Sequence, residues 1–353
     1  MSRVLLKIAA AACIVALVAC GVMTLGQTIM TGIRYPDADR YTAGPTSLNG
    51  AVKNLDIDWT EGFVSIAYHP QDTVEIAESA PKKISGDAAL RWWLDGDTLR
   101  IRYAKSGFFT FFGLKKALTV TLPEGVVLES VGIDATSADV KAQALAAGDV
   151  RIDLTSGDID LSQAGASDRV RLSCSSGDIR AALADAKSVS AKATSGGIEI
   201  SQTGAADSAE LSTTSGDIRA AMADVGSMRV SATSGEIRAT LGTADELSVG
   251  TTSGNIAVEG KGAQQGSLGS TSGKISVRLE AFDALEIQAT SGDVTACLPS
   301  EPGYRAEVKT TSGDFDYTVA LARDGGAYSC GDGSGSLRIH TTSGDVRLND
   351  INQ

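Results

Sequence analysis

Apolar and polar residues alternate through most of the chain. Val150, Ile152 and Leu154 are followed by Ile159 and Leu161, and Val170, Leu172 and Cys174 by Ile179, Ala181 and Leu183. Further on, Met228, Val230 and Ala232 precede Ile237, Ala239 and Leu241. A period of two with β-branched residues on the apolar side marks half-buried strands. No stretch after the apolar N-terminus sustains a 3.6-residue period, so the rest is expected to be nearly all β. Leu154 and Ile159 lie five apart, yet both belong to the apolar set. A straight strand would turn one of them outward, so the chain bends between them, at Ser156-Gly157.

That bend recurs. "LTSGDIDLS", "TTSGDIRAAM" and "ATSGEIRAT" are copies of one unit whose glycines are Gly157, Gly177, Gly196, Gly216, Gly235, Gly254, Gly273, Gly292 and Gly313. Their spacing is 19 to 21 residues, and Gly344 follows after a longer step of 31 that contains the glycine-rich "RDGGAYSCGDGSGS". "ATSADV" puts Ala138 nineteen residues before Gly157 as a degenerate first copy. Glycine supplies the positive φ of such a turn, and Asp can hydrogen-bond the turn backbone. Two architectures fit this parity. In a β-solenoid each unit is one coil and Ser-Gly is a corner stacked on its own copies; in an antiparallel meander or sandwich it is a hairpin turn. Hairpin turns favour Asn-Gly or Asp-Gly and vary from site to site. Near-constancy of Thr-Ser-Gly-Asp favours stacking, in which equal residues lie about 4.8 Å apart. About ten such coils predict a rod on the order of 45–50 Å long.

Residues 46–130 carry the same pattern in diverged form. "LDIDWTEGFVSI" aligns on Gly62 with "VRIDLTSGDIDL" on Gly157, pairing Trp59 with Leu154 and Val64 with Ile159. This region reads as a β cap over the apolar end of the solenoid, which occupies 131–350, with Trp92 and Trp93 helping to cover it. Within it, "SGFFTFFGLKK" gathers Phe108, Phe109, Phe111 and Phe112. These are either a loop folded over the cap or an exposed apolar knob that touches the membrane or a partner.

Arg3 and Lys7 precede an uncharged run from Ile8 to Gly26. Its length suits a single membrane crossing, with residues 1–7 cytoplasmic, 27–45 a polar linker and the C-terminal bulk outside. "LVAC" also resembles a lipoprotein signal that would place a lipid on Cys20, and a cleaved secretory signal is a third reading. Apolar residues continue past Cys20 through Val22, Met23 and Leu25, which favours the uncleaved anchor.

Composition narrows the function. Aromatic residues are scarce (5 %), which suits a core of small and β-branched side chains. A net charge of −12 and no basic stripe argue against a nucleic-acid partner. The two histidines, His69 and His340, leave little for a zinc site or a hydrolase triad. Cys174 falls at an inward position and reads as a small hydrophobe, while Cys297 and Cys330 could pair. The acids that follow the glycines would stack as like charges, diluted by Gly197, Asn255 and Lys274. Arg180, Arg219, Arg238 and Arg347 stand two places after them. Solvated turn carboxylates are expected there rather than a calcium column, so neither metal nor cofactor is assigned.

With the anchor, "NLDIDWTEGFVSIAY", "LDGDTLRIRYA", "LTVTLPEGVVLESVGIDATSADV" and the repeated "TSGDI", the chain resembles a bacterial family of β-strand-repeat proteins provisionally regarded as adhesins, the domain of unknown function 4097. The resemblance implies a right-handed β-helix-like fold on the cell envelope, without established activity or catalytic residues. The expectation is a non-enzymatic, membrane-anchored solenoid for adhesion, scaffolding or envelope sensing, with a surface protein or polysaccharide as partner. A carbohydrate-active β-helix enzyme and an ice- or crystal-binding surface are the alternatives. The enzyme would need clustered carboxylates, and the acids here are spread one per coil. The ice-binding surface would use the column Thr155, Thr194, Thr214, Thr233, Thr252, Thr271, Thr290, Thr311 and Thr342.

Overall fold

Residues 33–84, 86–108 and 114–352 are described by a computed structural model of the chain. The 8–26 segment, Cys20, Phe109, Phe111 and Phe112 lie outside the described residues. Among those described, no helix is long and apolar enough to cross a membrane.

The unit of the fold shows in one repeat. Strand Ala206–Ser215 turns at Gly216-Asp217 into strand Ile218–Met222. Ala209, Leu211 and Thr213 are buried before the turn, and Ile218, Ala220 and Met222 after it, while Glu210 and Arg219 face out. The five-residue step from Thr213 to Ile218 is therefore a corner that keeps both strands facing one interior. A second break in parity, between buried Ala206 and Ala209, bends the chain again. The coil then closes onto the next, parallel and in register, with Ala206 beside Val225, Leu211 beside Val230 and Ser215 beside Ser234. One isoleucine of each coil thus lies over the last, as Ile179, Ile198, Ile218, Ile237, Ile256 and Ile275. Each is at most 1 % exposed and contributes on the order of 2 kcal/mol by burial.

Stacking explains the corner glycine. From Gly157 to Gly344 the motif glycines have φ between +121° and +155°, a range that L side chains rarely adopt. A Cβ on any of them would lie 1.9–2.3 Å from the carbonyl oxygen of the corner residue in the neighbouring coil.

At both ends, spatial order departs from chain order. Along the axis the corner residues run Lys116, Gly62, Ala138, Gly157, Gly177, Gly196, Gly216, Gly235, Gly254, Gly273, Gly292, Gly344, Gly313. Strand Gly335–Ser343 lies between Phe282–Ser291 and Gly303–Ser312, so the last coil of the chain is the penultimate coil of the stack. Strand Asn54–His69 likewise lies between Leu128–Leu145 and the later strands Thr98–Arg102 and Lys116–Pro123. Simple chain-order stacking from the motif spacing is thereby corrected. Gly313 does not stack on Gly292, because the excursion 318–334 carries the chain back to insert Gly344 between them. With the coils of the diverged region included, the stack spans about 60 Å at roughly 4.8 Å per coil.

The end that carries Lys116 is closed by antiparallel strands. Val74–Ser79 pairs with Lys116–Pro123 and Arg91–Asp95 with Thr98–Arg102; Thr46–Leu48 and Thr42–Ala43 flank them outside. Trp92 stands opposite Ile101, and Trp93 packs edge-on against Tyr41 with ring centres 5.7 Å apart. Beneath them Lys116 is fully buried, its ammonium 2.5 Å from Glu78 Oε1 and 2.8 Å from the Ala88 carbonyl, and it also donates to the Tyr103 carbonyl. Desolvation holds the Lys116 pKa below the usual lysine range despite the Glu78 partner. Phe108 is half-buried against this core.

Gly235→Ala is expected to lower stability in urea unfolding by more than about 3 kcal/mol, because it combines a forbidden φ with a backbone overlap. Gly269→Ala, where a Cβ would meet nothing within 4 Å, is expected to change it little. Equal effects would contradict the stacking explanation of the motif.

Candidate functional site

The corner column is the most regular feature of the surface. Parallel backbone bonds run continuously up to and beyond it: the Gly216 N–H donates to the Ser234 carbonyl, and the Ile218 N–H to the Glu236 carbonyl. Between these two bonds lie a glycine carbonyl and the N–H of the following residue, and side chains of the adjoining coil reach both. The N–H is met by the carboxylate of the corner acid. Asp158 Oδ1 accepts from Asp178 N at 2.8 Å, Asp178 from Gly197 at 2.8 Å, Asp217 from Glu236 at 2.9 Å and Asp293 from Asp345 at 3.2 Å. Asn255 does the same with its amide oxygen, 2.9 Å from Lys274 N. The N–H of Asp345 is the main reason that Asp293 sits below the usual carboxylate range.

The glycine carbonyl is met from the inward position three residues before the next glycine. Thr213 Oγ1 donates to Gly196 O at 3.1 Å, Ser270 to Gly254 at 3.3 Å and Thr310 to Gly344 at 3.4 Å. Cys174 Sγ stands 3.1 Å from Gly157 O, and Trp59 Nε1 reaches Lys116 O at 3.3 Å. Cys174 is buried, as an inward residue should be, yet it takes a hydrogen-bonding place that Thr or Ser fills elsewhere. Burial pushes its thiol up to about 11. Cys297 and Cys330 are both free. Cys297 lies beside Asn349 and Arg278, whereas Cys330 lies beside Tyr304, so the pairing considered from sequence is absent.

Outside the corner the surface is a set of parallel columns. Arg180, Arg238 and Arg347 pair with the acid two places before them at 2.6, 2.9 and 3.5 Å, each pair half in solvent and worth little energetically. The threonines Thr194, Thr233, Thr252, Thr271, Thr290, Thr311 and Thr342 are exposed, and Thr155 and Thr214 half-exposed. A shallow groove of about 310 Å³ crosses the long strands, with Arg229, Glu246, Glu286 and Arg338 on its rim. Gly266 takes the place held by Met228, Leu247 and Leu285 in adjoining coils, and the Leu285 side chain occupies the space a side chain there would fill. Among the described residues no three His, Cys, Asp or Glu side chains converge as metal ligands. His69 is held by the Thr73 carbonyl at 2.6 Å, and His340 stands exposed on a long strand. The sequence did not reveal the groove, which takes a short segment from each of five stacked coils.

A family model described as Toastrack DUF4097 matches residues 52–242 and again 184–349. No curated protein matches. Among solved structures, a protein provisionally described as a cell adhesion protein from Clostridium sporogenes is 10 % identical, with a TM-score of 0.20 over 88 % of this chain and 100 % of its own. One provisionally described as an adhesin from Bacteroides fragilis is 11 % identical, with a TM-score of 0.29 over 90 % and 100 %.

Asp217→Ala strands the N–H of Glu236 and is expected to cost about 1 kcal/mol in urea unfolding, whereas Asp217→Asn costs nearly nothing. Equal losses would mean that charge, not the backbone bond, is what the column needs. In native protein at pH 8, iodoacetamide is expected to modify half-buried Cys297 before Cys174 and Cys330, as read by peptide mass spectrometry. Early modification of Cys174 would contradict its place in the ladder.

Proposed function

We propose that this chain, which belongs to the Toastrack DUF4097 family, is a non-enzymatic display rod used for adhesion at the cell envelope. The observation that carries the reading is the uninterrupted run of in-register coils, which repeats similar outward side chains along about 45 Å. Repeated columns suit many weak contacts made at once, so that avidity replaces a single deep site. Ion pairs on this surface are half-solvated, and the buried polar groups of the corners serve the backbone. The Arg3–Lys7 charges and the apolar 8–26 run support tethering by the N-terminus, with residues beyond about 35 outside the cytoplasm. The near-universal right-handed sense of parallel β connections supports a right-handed coil. A surface protein or polysaccharide is the partner class that such a face suits.

The test uses the full chain expressed in a bacterial host. A membrane-impermeant maleimide is expected to label Thr271→Cys on intact cells, and displaying cells are expected to be retained severalfold better on envelope-coated surfaces than cells without the chain. Labelling only after lysis would refute the topology. Unchanged retention despite display, or polysaccharide turnover by purified protein, would refute the adhesive, non-enzymatic reading.

A further inference from the structure

The two ends of the rod are unequal. At the Lys116 end both outer strands have antiparallel partners, flanked in turn by segments of only two and three residues. Such short edges resist further pairing. At the other end Gly303–Ser312 is covered on its outer side only over Gly303–Ala306, by Ala327–Gly331. From Glu307 to Ser312, and along Phe315–Tyr317, the outer edge has no strand partner among the described residues. Tyr317 beside it is 48 % exposed, one of two exposed large apolar side chains among the described residues. Its ring lies 5.3 Å from Phe315 and 6.1 Å from Tyr328. Unpaired strand edge and exposed aromatic surface thus coincide at one tip.

We propose that the edge Glu307–Ser312 is a self-docking surface, on which a second copy of this chain pairs antiparallel about Thr310 and joins two rods tip to tip. The occupant follows from the closed opposite end. Head-to-tail growth needs both ends open, so a contact between copies must be isologous, and a two-fold axis closes it as a dimer. The register follows from sterics and charge. Val308 packs on the core and Thr310 bonds inward, while Lys309 and Thr311 are exposed. Directly opposed residues share a face, so the axis must pass through a residue. Through Val308, it would drive Thr310 of one copy into strand Ala327–Gly331 of the other. Through Lys309, it would oppose two ammonium groups. Through Thr310, it sets Thr310 against itself and Lys309 against Thr311, clear of the covering strand.

The chain enters the described structure at the closed end, where Ile33 N donates to Phe108 O at 3.2 Å. If the N-terminus is the tether, a reading taken from the proposed function, the free edge is the distal tip and the dimer bridges two opposing surfaces. The pairing itself does not depend on that tether.

Sedimentation of the full chain in detergent, at increasing concentration, tests it. A monomer–dimer equilibrium is expected. Thr311→Lys, which faces Lys309 twice across the axis, is expected to weaken it about tenfold, and Lys309→Glu/Thr311→Lys to restore it. Lys309→Cys chains mixed with Thr311→Cys chains are expected to form disulfides with each other in preference to themselves. A chain that stays monomeric, growth beyond the dimer, or a dimer indifferent to these exposed substitutions would overturn the proposal. The last result would place association in another segment, such as the leader. Retention of displaying cells on envelope material, with a monomeric chain in detergent, would refute the tip contact and leave the adhesive reading standing.

Discussion

Everything in this molecule depends on how closely one corner can approach the next. From Gly157 to Gly344 the glycine of each corner lies so near the carbonyl of the corner beside it that no side chain fits between them. That approach fixes the coil register, and register in turn sets every inward residue over its counterpart. A one-residue slip would send each strand's apolar set into solvent, so the corner and the core enforce the same alignment. The approach leaves a carbonyl and an N–H outside the ladder, and buried or half-buried backbone groups must find partners. At some corners a Thr or Ser three places before the glycine, as at Thr213 and Ser270, reaches the carbonyl, and an Asp one place after it, as at Asp158 and Asp217, reaches the N–H. Within the repeated Thr-Ser-Gly-Asp, the glycine permits the approach and the acid bonds the adjacent coil, while the threonine faces solvent.

Much of this was legible in the residues. The parity break between Leu154 and Ile159 located the corner, and the constancy of the motif favoured stacking over hairpins. The alignment of Gly62 with Gly157 put Trp59 in the column of Leu154, and the two are joined in register through Ala135. The role of the acids was harder to see. One sequence shows an Asp beside a turn, but not that its acceptor faces an N–H about twenty residues away. Asn255, which keeps the oxygen and drops the charge, was the available clue.

The order of coils at the ends was not legible. The copies around Gly292, Gly313 and Gly344 carry equivalent corners, so any of them can stack on any other, and local pattern does not choose. Lys116 was equally hidden, since nothing in "GLKKALTV" suggests that a lysine stands in a glycine column. It does so because strand Lys116–Pro123 ends the stack: its ammonium turns into a pocket of Glu78 and backbone carbonyls rather than against another coil. Interleaving at both ends ties each terminal coil to strands from elsewhere in the chain. Terminal coils of a solenoid would otherwise be held by one neighbour only.

The most direct test of axial stacking is pulsed electron spin resonance between nitroxides on the exposed threonine column, in a chain whose native cysteines have been replaced. With one label at Thr214, coil spacing sets a second at Thr342 about 24 Å away and one at Thr311 about 29 Å away. The position later in sequence is thus the nearer in space. Observing that inversion would establish both the in-register stack and its interleaved tip. The opposite order would contradict the interleaving, and motif positions alternating between two distant ends would contradict the solenoid.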